Sequence, residues 1–178
     1  GSYKRHILMN KFFNVNQCDA TAFDIVKDLP IKHIHNKEDG SLVTFVMFPN
    51  GKVLGKTKMS FDNYQAIDAT RIYNKEDEIK KLVDWALDND YVPIFEYVSP
   101  SNRIVLKYNK TKLILLRLRD NKTGRYLELD TYPFIDEIEV AGTETNIYSD
   151  WDKLLYDREN MVDKEGWIVT FEDNPYLD

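Results

Sequence analysis

Turn signals set between short apolar runs constrain this chain most. "PIKHIH" is followed by "NKEDGS" and then by "LVTFVMF", which is separated from "KVLGKTK" by Pro49-Asn50-Gly51. Asp-Gly or Asn-Gly between such runs favours strands that turn back on one another, because glycine adopts the left-handed backbone of tight turns at little cost. "YVPIFEYV", "RIVLKY" and "KLILLRLRD" read as further strands, the last turning at "DNKTG" into "RYLELD", and "EGWIVTF" as a final one. Ser60 is placed to cap a helix over "SFDNYQAIDATRIY". In "NKEDEIKKLVDWALDND", residues Ile79, Leu82, Val83, Ala86 and Leu87 keep the i, i+3, i+4, i+7, i+8 spacing of one buried helix face. A shorter helix is expected around "DWDKLLYDREN". Strands outnumber helices and arrive largely as hairpins, so the expected class is α+β, antiparallel sheets flanked by helices.

With 178 residues, 43% of them hydrophobic, the chain can bury one good core, and a single domain over residues 1–178 is expected. No apolar run approaches a membrane span and the first residues lack a signal-peptide pattern, so a cytoplasmic protein with no membrane partner is expected. Cys18 is the only cysteine, which excludes an intrachain disulfide and a thiolate zinc site. His33 and His35 have a spacing zinc can use, yet no third ligand stands out and the segment alternates as a plain strand does. The net charge of −6 argues against a nucleic-acid coat protein, but it hides an asymmetry. Residues 103–125 carry eight basic residues against Asp120, and residues 128–178 carry fifteen acids against three bases. The basic stretch is either a local polyanion-binding surface or one of two solvated faces.

Some residues break the strand pattern. Alternation in "YVPIFEYV" puts Glu96 on one face with Ile94 and Val98, where a carboxylate must meet a cation, a donor or a ligand. Glu165-Gly166 opens the last strand. Lys56 and Lys58 point to one face two residues apart, an arrangement ordinary edge strands also use. Lys37 sits in the Asp39-Gly40 turn, either as a bystander in a hairpin or as a nucleophile. Together these residues suit a nucleoside triphosphate: carboxylates for ribose hydroxyls and Mg²⁺, lysines for phosphates.

At this point the residues resemble a family. "KEDGS" is similar to the Lys-x-Asp-Gly nucleotidyl-lysine motif of covalent nucleotidyltransferases, the ATP-dependent ligases and mRNA capping enzymes. "KFFNVNQ", "KEDGSLV", "GKTKMS", "FEYVSPSNRIVLKY" and "EGWIVTF" arrive in the order of the bacteriophage RNA ligase 1 type, which repairs tRNA anticodon loops. The resemblance runs from about Lys11 to Phe171. It implies the nucleotidyltransferase (ATP-grasp-like) fold with a central nucleotide pocket, and an ATP-dependent RNA ligase. Lys37 would form a covalent lysyl-AMP with Mg²⁺ or Mn²⁺, AMP would pass to an RNA 5′-phosphate, and a 3′-hydroxyl would seal the strand. Implied catalytic residues are Lys37, Lys58 and Asp39. Nucleotide would be bound by Asn36, Glu38, Gly40, Lys56, Glu96 and Glu165, with Glu165 also binding metal, and Asn102 and Arg103 would meet RNA. Implied partners are ATP and RNA with 5′-phosphate and 3′-hydroxyl ends, tRNA among them, met by a monomer, in the host cytoplasm for a phage-encoded enzyme.

The chain also departs from the family pattern. No lysine follows Lys164, where the family has a Lys-x-Lys strand, and Ile7 or Leu8 stands in place of an arginine. The expectation is a core adenylation domain cut before that strand and without the family's C-terminal domain. Two alternatives remain: a nucleotide-binding but catalytically silent chain, and a DNA-ligase or capping-type nucleotidyltransferase.

Overall fold

A computed structural model describes residues 17, 22–36, 41–58, 60–100, 110–141 and 167–171, and of residues 32–36, 167, 168 and 170 the backbone alone. The chain divides into two compact units, one of Gly1–Met9 with Asp39–Val140 and one of Asn10–Glu38 with Ala141–Asp178. No helix among the described residues is long and apolar enough to cross a membrane.

The first unit is built on a five-stranded antiparallel sheet. Its strands are β2 (Ser41–Met47), β3 (Val53–Lys56), β4 (Tyr91–Val98), β5 (Lys112–Asp120) and β6 (Tyr126–Leu127), in the spatial order β3-β2-β4-β5-β6. Two helices, α2 (Tyr64–Lys75) and α3 (Asp77–Asp88), join β3 to β4. The α3 periodicity holds: Ile79, Leu82, Val83 and Ala86 are buried, and Asp77 and Glu78 in its first turn suit the positive end of the helix dipole. Helix α2 buries Ala66, Ala69, Ile72 and Tyr73. Its cap is Asn63, whose side chain accepts the Ala66 amide at 2.8 Å, and not Ser60. Ser60 instead closes the preceding turn, its hydroxyl accepting the amides of Asp62 and Asn63, so the helix begins later than the sequence suggests.

Core packing explains the sheet's helix side. Val43, Phe45, Phe95, Tyr97, Leu113, Leu115 and Leu118 join the α2 and α3 residues in one cluster, where Phe45 meets Phe95 edge to face at 5.8 Å. Each such fully buried ring or branched chain contributes roughly 1.5–3 kcal/mol relative to exposure. Gly55 lets β3 lie against α2, since a Cβ there would fall 2.8 Å from the Ala66 carbonyl, and its amide donates to Thr70 Oγ1.

β5 contains a bulge. Ile94 pairs with Arg117 but Phe95 pairs with Leu115, which leaves Leu116 as the extra residue. Side-chain alternation therefore shifts by one: Leu113, Leu115 and Leu118 face the helices, while Ile114, Arg117 and Arg119 take the opposite face. Beside the bulge, the Leu115 amide donates to the Glu139 carbonyl at 2.9 Å, and Lys112 pairs with the Glu139 carboxylate. Only Tyr126–Leu127 of the expected "RYLELD" strand pairs, because Leu129–Thr131 coils into a 3-10 turn that brings Tyr132 against Trp85 at 5.0 Å.

The second unit contains α1 (Phe23–Val26), β1 (Ile31–Asn36) and β7 (Trp167–Phe171). β1 and β7 pair antiparallel, with Asn36 opposite Trp167 and Ile34 opposite Val169. The expected "RIVLKY" strand and "DWDKLLYDREN" helix lie outside the described residues.

Candidate active site

The hairpin reading of Asp39-Gly40 does not survive. β1 before the turn pairs with β7, whereas β2 after it pairs with β3 and β4. The two apolar runs belong to different sheets, and the boundary between the units falls between Glu38 and Asp39. Pro49-Asn50-Gly51 does close a hairpin, joining β2 to β3 with Gly51 at a φ of 82°.

Within the second unit, the Asn36–Trp167 pair ends the ladder. Lys37 is the next residue after Asn36, and Glu165 stands two residues before Trp167. The paired residues Asn36 and Trp167 are thus one and two positions in sequence from the candidate nucleophile and the candidate metal ligand. Lys37, Glu38, Asp39, Gly40, Asn102, Arg103 and Glu165 themselves lie outside the described residues, as does Cys18, and of Asn36, His33 and His35 only the backbone is described.

The first unit supplies Glu96, Lys56 and Lys58. Glu96 pairs with Leu42 on β2, and Lys56 pairs with Thr44, two residues along the same strand. Residues two apart on a strand share a face, so Glu96 and Lys56 issue from the same side of the sheet, the one turned away from α2 and α3. Glu96 is 6% exposed, between fully buried Ile94 and Val98, as its strand alternation requires. Lys56 bends back along the chain, its Nζ donating to the Thr57 carbonyl at 3.0 Å and the Lys58 carbonyl at 3.3 Å. Lys58 is exposed and lies past the end of β3, so the two lysines are not a pair on one strand face. A knot of polar contacts fixes this loop: the Thr57 amide and hydroxyl both donate to the Ser60 carbonyl, and Asn63 Nδ2 donates to Thr57 Oγ1 at 2.8 Å.

Sequence reasoning missed Arg117 and Arg119. At 8% and 6% exposure they are neither a solvated basic face nor a surface polyanion patch, because the β5 bulge turns both onto the Glu96 side of the sheet. Arg117 lies over the Tyr126 ring, 5.6 Å from its centroid. The guanidinium of Arg119 packs under the β5–β6 turn, where a Cβ on Gly124 would come within 2.8 Å of it. Its buried Nε makes no hydrogen bond. No periodicity argument could have found these residues, since a bulge leaves no fixed sequence mark. Buried charges are costly unless matched.

The sequence pattern of the RNA ligase family matches residues 6–176. The chain belongs to the RNA ligase family. A protein named "Putative RNA ligase" from Thermovibrio ammonificans is 30% identical over 118 residues, which is 66% of this chain and 30% of that protein. Among solved structures, a Naegleria gruberi RNA ligase mutant with ATP and Mn superposes with a TM-score of 0.62 at 12% identity, covering 94% of this chain and 53% of that one. An archaeal ATP-dependent RNA ligase gives a TM-score of 0.52 at 13% identity, over 82% of this chain and 40% of the other. These likenesses establish the α+β nucleotidyltransferase fold of ATP-dependent RNA ligases for this family member. It spans about a third to a half of the length of these relatives.

Proposed function

We propose that this chain performs the adenylation chemistry of an ATP-dependent RNA ligase, with Lys37 as the nucleophile. The observation that supports the reading is the β1–β7 register: its last pair, Asn36–Trp167, stands one residue in sequence from Lys37 and two from Glu165, and β1 does not pair with β2 as a hairpin would. Within the first unit, Glu96 is buried on a sheet face shared with Lys56, as suits a ribose-binding carboxylate and a phosphate-facing lysine.

In the proposed sequence, the neutral Lys37 amine attacks the α-phosphorus of ATP. A nitrogen–phosphorus bond forms, the bond from that phosphorus to the bridging oxygen breaks, and pyrophosphate leaves. An oxygen of an RNA 5′-phosphate then attacks the same phosphorus and frees Lys37. Finally an RNA 3′-hydroxyl attacks the activated 5′-phosphorus, forming the phosphodiester and releasing AMP. Splitting one hard displacement into such steps is the value of covalent catalysis.

Lysine in water has a pKa of about 10.4, so the site must favour the uncharged amine. A nearby cation such as Lys58 would favour it, and carboxylates such as Glu38 and Asp39 would oppose it unless a metal neutralised them. A divalent cation, Mg²⁺ or Mn²⁺, would neutralise phosphate charge when bound. Among the described residues no group of three or more Asp, Glu, His or Cys is assembled to hold a metal. Glu165 together with phosphate oxygens suits Mg²⁺, which is commonly held by one or two carboxylates and substrate phosphates. Glu96 would accept the ribose hydroxyls. Asn36 and Gly40 would line the approach to the α-phosphate, Lys56 would face the phosphates, and Asn102 and Arg103 would position the RNA strand.

Incubation with α-labelled ATP or GTP and Mg²⁺, followed by a chase with RNA, tests this reading. Label is expected from ATP and not GTP, and it should be lost to 5′-phosphorylated RNA but not to 5′-hydroxyl RNA. Transfer from GTP would place the chain with capping-type enzymes, and binding of ATP without transfer would overturn the proposal.

A further inference from the structure

The β2–β3 hairpin and the loop before α2 expose a group of apolar side chains that neither the core nor the proposed adenylation chemistry uses. Met47 is 42% exposed, Phe48 36% and Phe61 37%. The two phenylalanine rings meet with centroids 5.5 Å apart at an interplanar angle of 58°, so each keeps part of a face open to solvent. Lys56 Nζ stands 5.5 Å from the Phe61 centroid, and exposed Lys52 lies across the hairpin from Phe48, whose amide donates to the Lys52 carbonyl at 2.8 Å. From Ser41 to Phe61 the chain has three lysines and no acid, although its net charge is −6. The nearest acid in sequence, Asp62, accepts the Ser60 hydroxyl.

An exposed pair of aromatic rings with Lys56 beside one ring and Lys52 across the hairpin from the other fits a polyanion that carries flat apolar groups. Single-stranded nucleic acid has that chemistry: bases stack on aromatic faces and the backbone meets lysines, with little sequence preference. We propose that Phe48 and Phe61 form a stacking platform for single-stranded RNA, with Lys52 meeting its phosphates. The platform rests on the RNA-ligase reading for the kind of nucleic acid. It deepens that reading by placing an RNA contact on the hairpin leading to Lys56 and Lys58.

The test is fluorescence anisotropy of the full chain with a 3′-labelled, 5′-phosphorylated oligoadenylate and with a blunt RNA duplex. Phe48→Ala and Phe61→Ala should each weaken single-strand binding roughly tenfold, the scale of one lost base–aromatic stack. Duplex binding should change little. Phe61→Trp should restore the affinity and Phe61→Leu should not, which separates stacking from apolar bulk. Both positions are exposed, and unchanged melting temperatures would confirm retained folding. Equal oligoadenylate affinity in wild type and both alanine variants would overturn the platform, as would full rescue by leucine. Loss of a concentration-dependent self-association in Phe61→Ala, with RNA affinity unchanged, would assign the patch to a second copy and also overturn it. ATP labelling of the same proteins reads the adenylation proposal separately: stacking-dependent RNA binding without labelling would sink that proposal and leave the platform standing.

Discussion

On the helix side, β4 and β5 present Phe95, Tyr97, Leu113, Leu115 and Leu118 to α2 and α3. On the other side the same two strands present Ile94 and Val98 together with Glu96, Arg117 and Arg119, each of them less than one-tenth exposed. Both faces are dry, but only one is apolar. The apolar face lowers the free energy of the fold by burial and close packing. The charged face contributes less in that way, since buried charges must be matched to offset their desolvation. Substitutions at adjacent positions can therefore break the contrast or sharpen it.

The largest effect is expected on the apolar side. Phe95→Ala should cost about 3–5 kcal/mol in chemical denaturation, the range for emptying a buried aromatic site. Its neighbour on the opposite face should respond in function instead: Glu96→Gln keeps shape and should leave stability within about 1.5 kcal/mol, while transfer of AMP from ATP falls at least about tenfold. Equal stability losses at the two positions would erase the difference between the faces.

Tyr97 tests the helix side more finely. Its hydroxyl donates to Asp68 Oδ2 at 2.7 Å, and Asp68 also pairs with Arg71 at 2.6 Å. Burial first, and then the Asp68 hydrogen bond, pushes the Tyr97 phenol up to about 12. A raised phenol pKa means the fold favours the protonated form. The associated stability is present below the unfolded value near pH 10 and is lost as pH rises from there through about 12. Tyr97→Phe should cost about 1 kcal/mol at neutral pH and should flatten the alkaline fall in unfolding free energy. An unchanged alkaline slope would show that Tyr97 is not its source.

The smallest effect is expected at Arg119. Arg119→Met replaces a buried guanidinium with an apolar chain of similar length and should change stability by less than about 1 kcal/mol in either direction. Leu118→Ala, one residue away on the packed face, should cost about 2–5 kcal/mol. A loss of similar size at both positions would mean that the guanidinium is held as tightly as the leucine.

The two faces also differ in how legible they were. Period-2 alternation located Phe95, Glu96 and Tyr97 on β4, and period-3.6 spacing located α3, because both patterns are carried by consecutive residues of one element. The β5 bulge escaped notice, since one extra residue reverses the faces of all that follow and no residue type demands it, so Arg117 and Arg119 looked like surface charge. Ser60 looked like a helix cap for a similar reason: it forms a turn of its own, and the cap is Asn63. Asp39-Gly40 carried a turn signal but no information on which strands the flanking runs would join, because pairing is settled by distant segments such as Trp167–Phe171. At the candidate site, the Lys-x-Asp-Gly motif and the isolated carboxylate at Glu96 could be read from residue type alone. The pairing of Asn36 with Trp167, next in the chain to Lys37 and close to Glu165, needed the fold.

The account depends most on Lys37, and its direct test is peptide mapping by mass spectrometry after treatment with ATP and Mg²⁺. One adenylyl group should appear on the peptide containing Lys37, and Lys37→Ala, which should melt like the wild type, should carry none. An adenylyl group on any other residue, or one that persists in the Lys37→Ala chain, would contradict it.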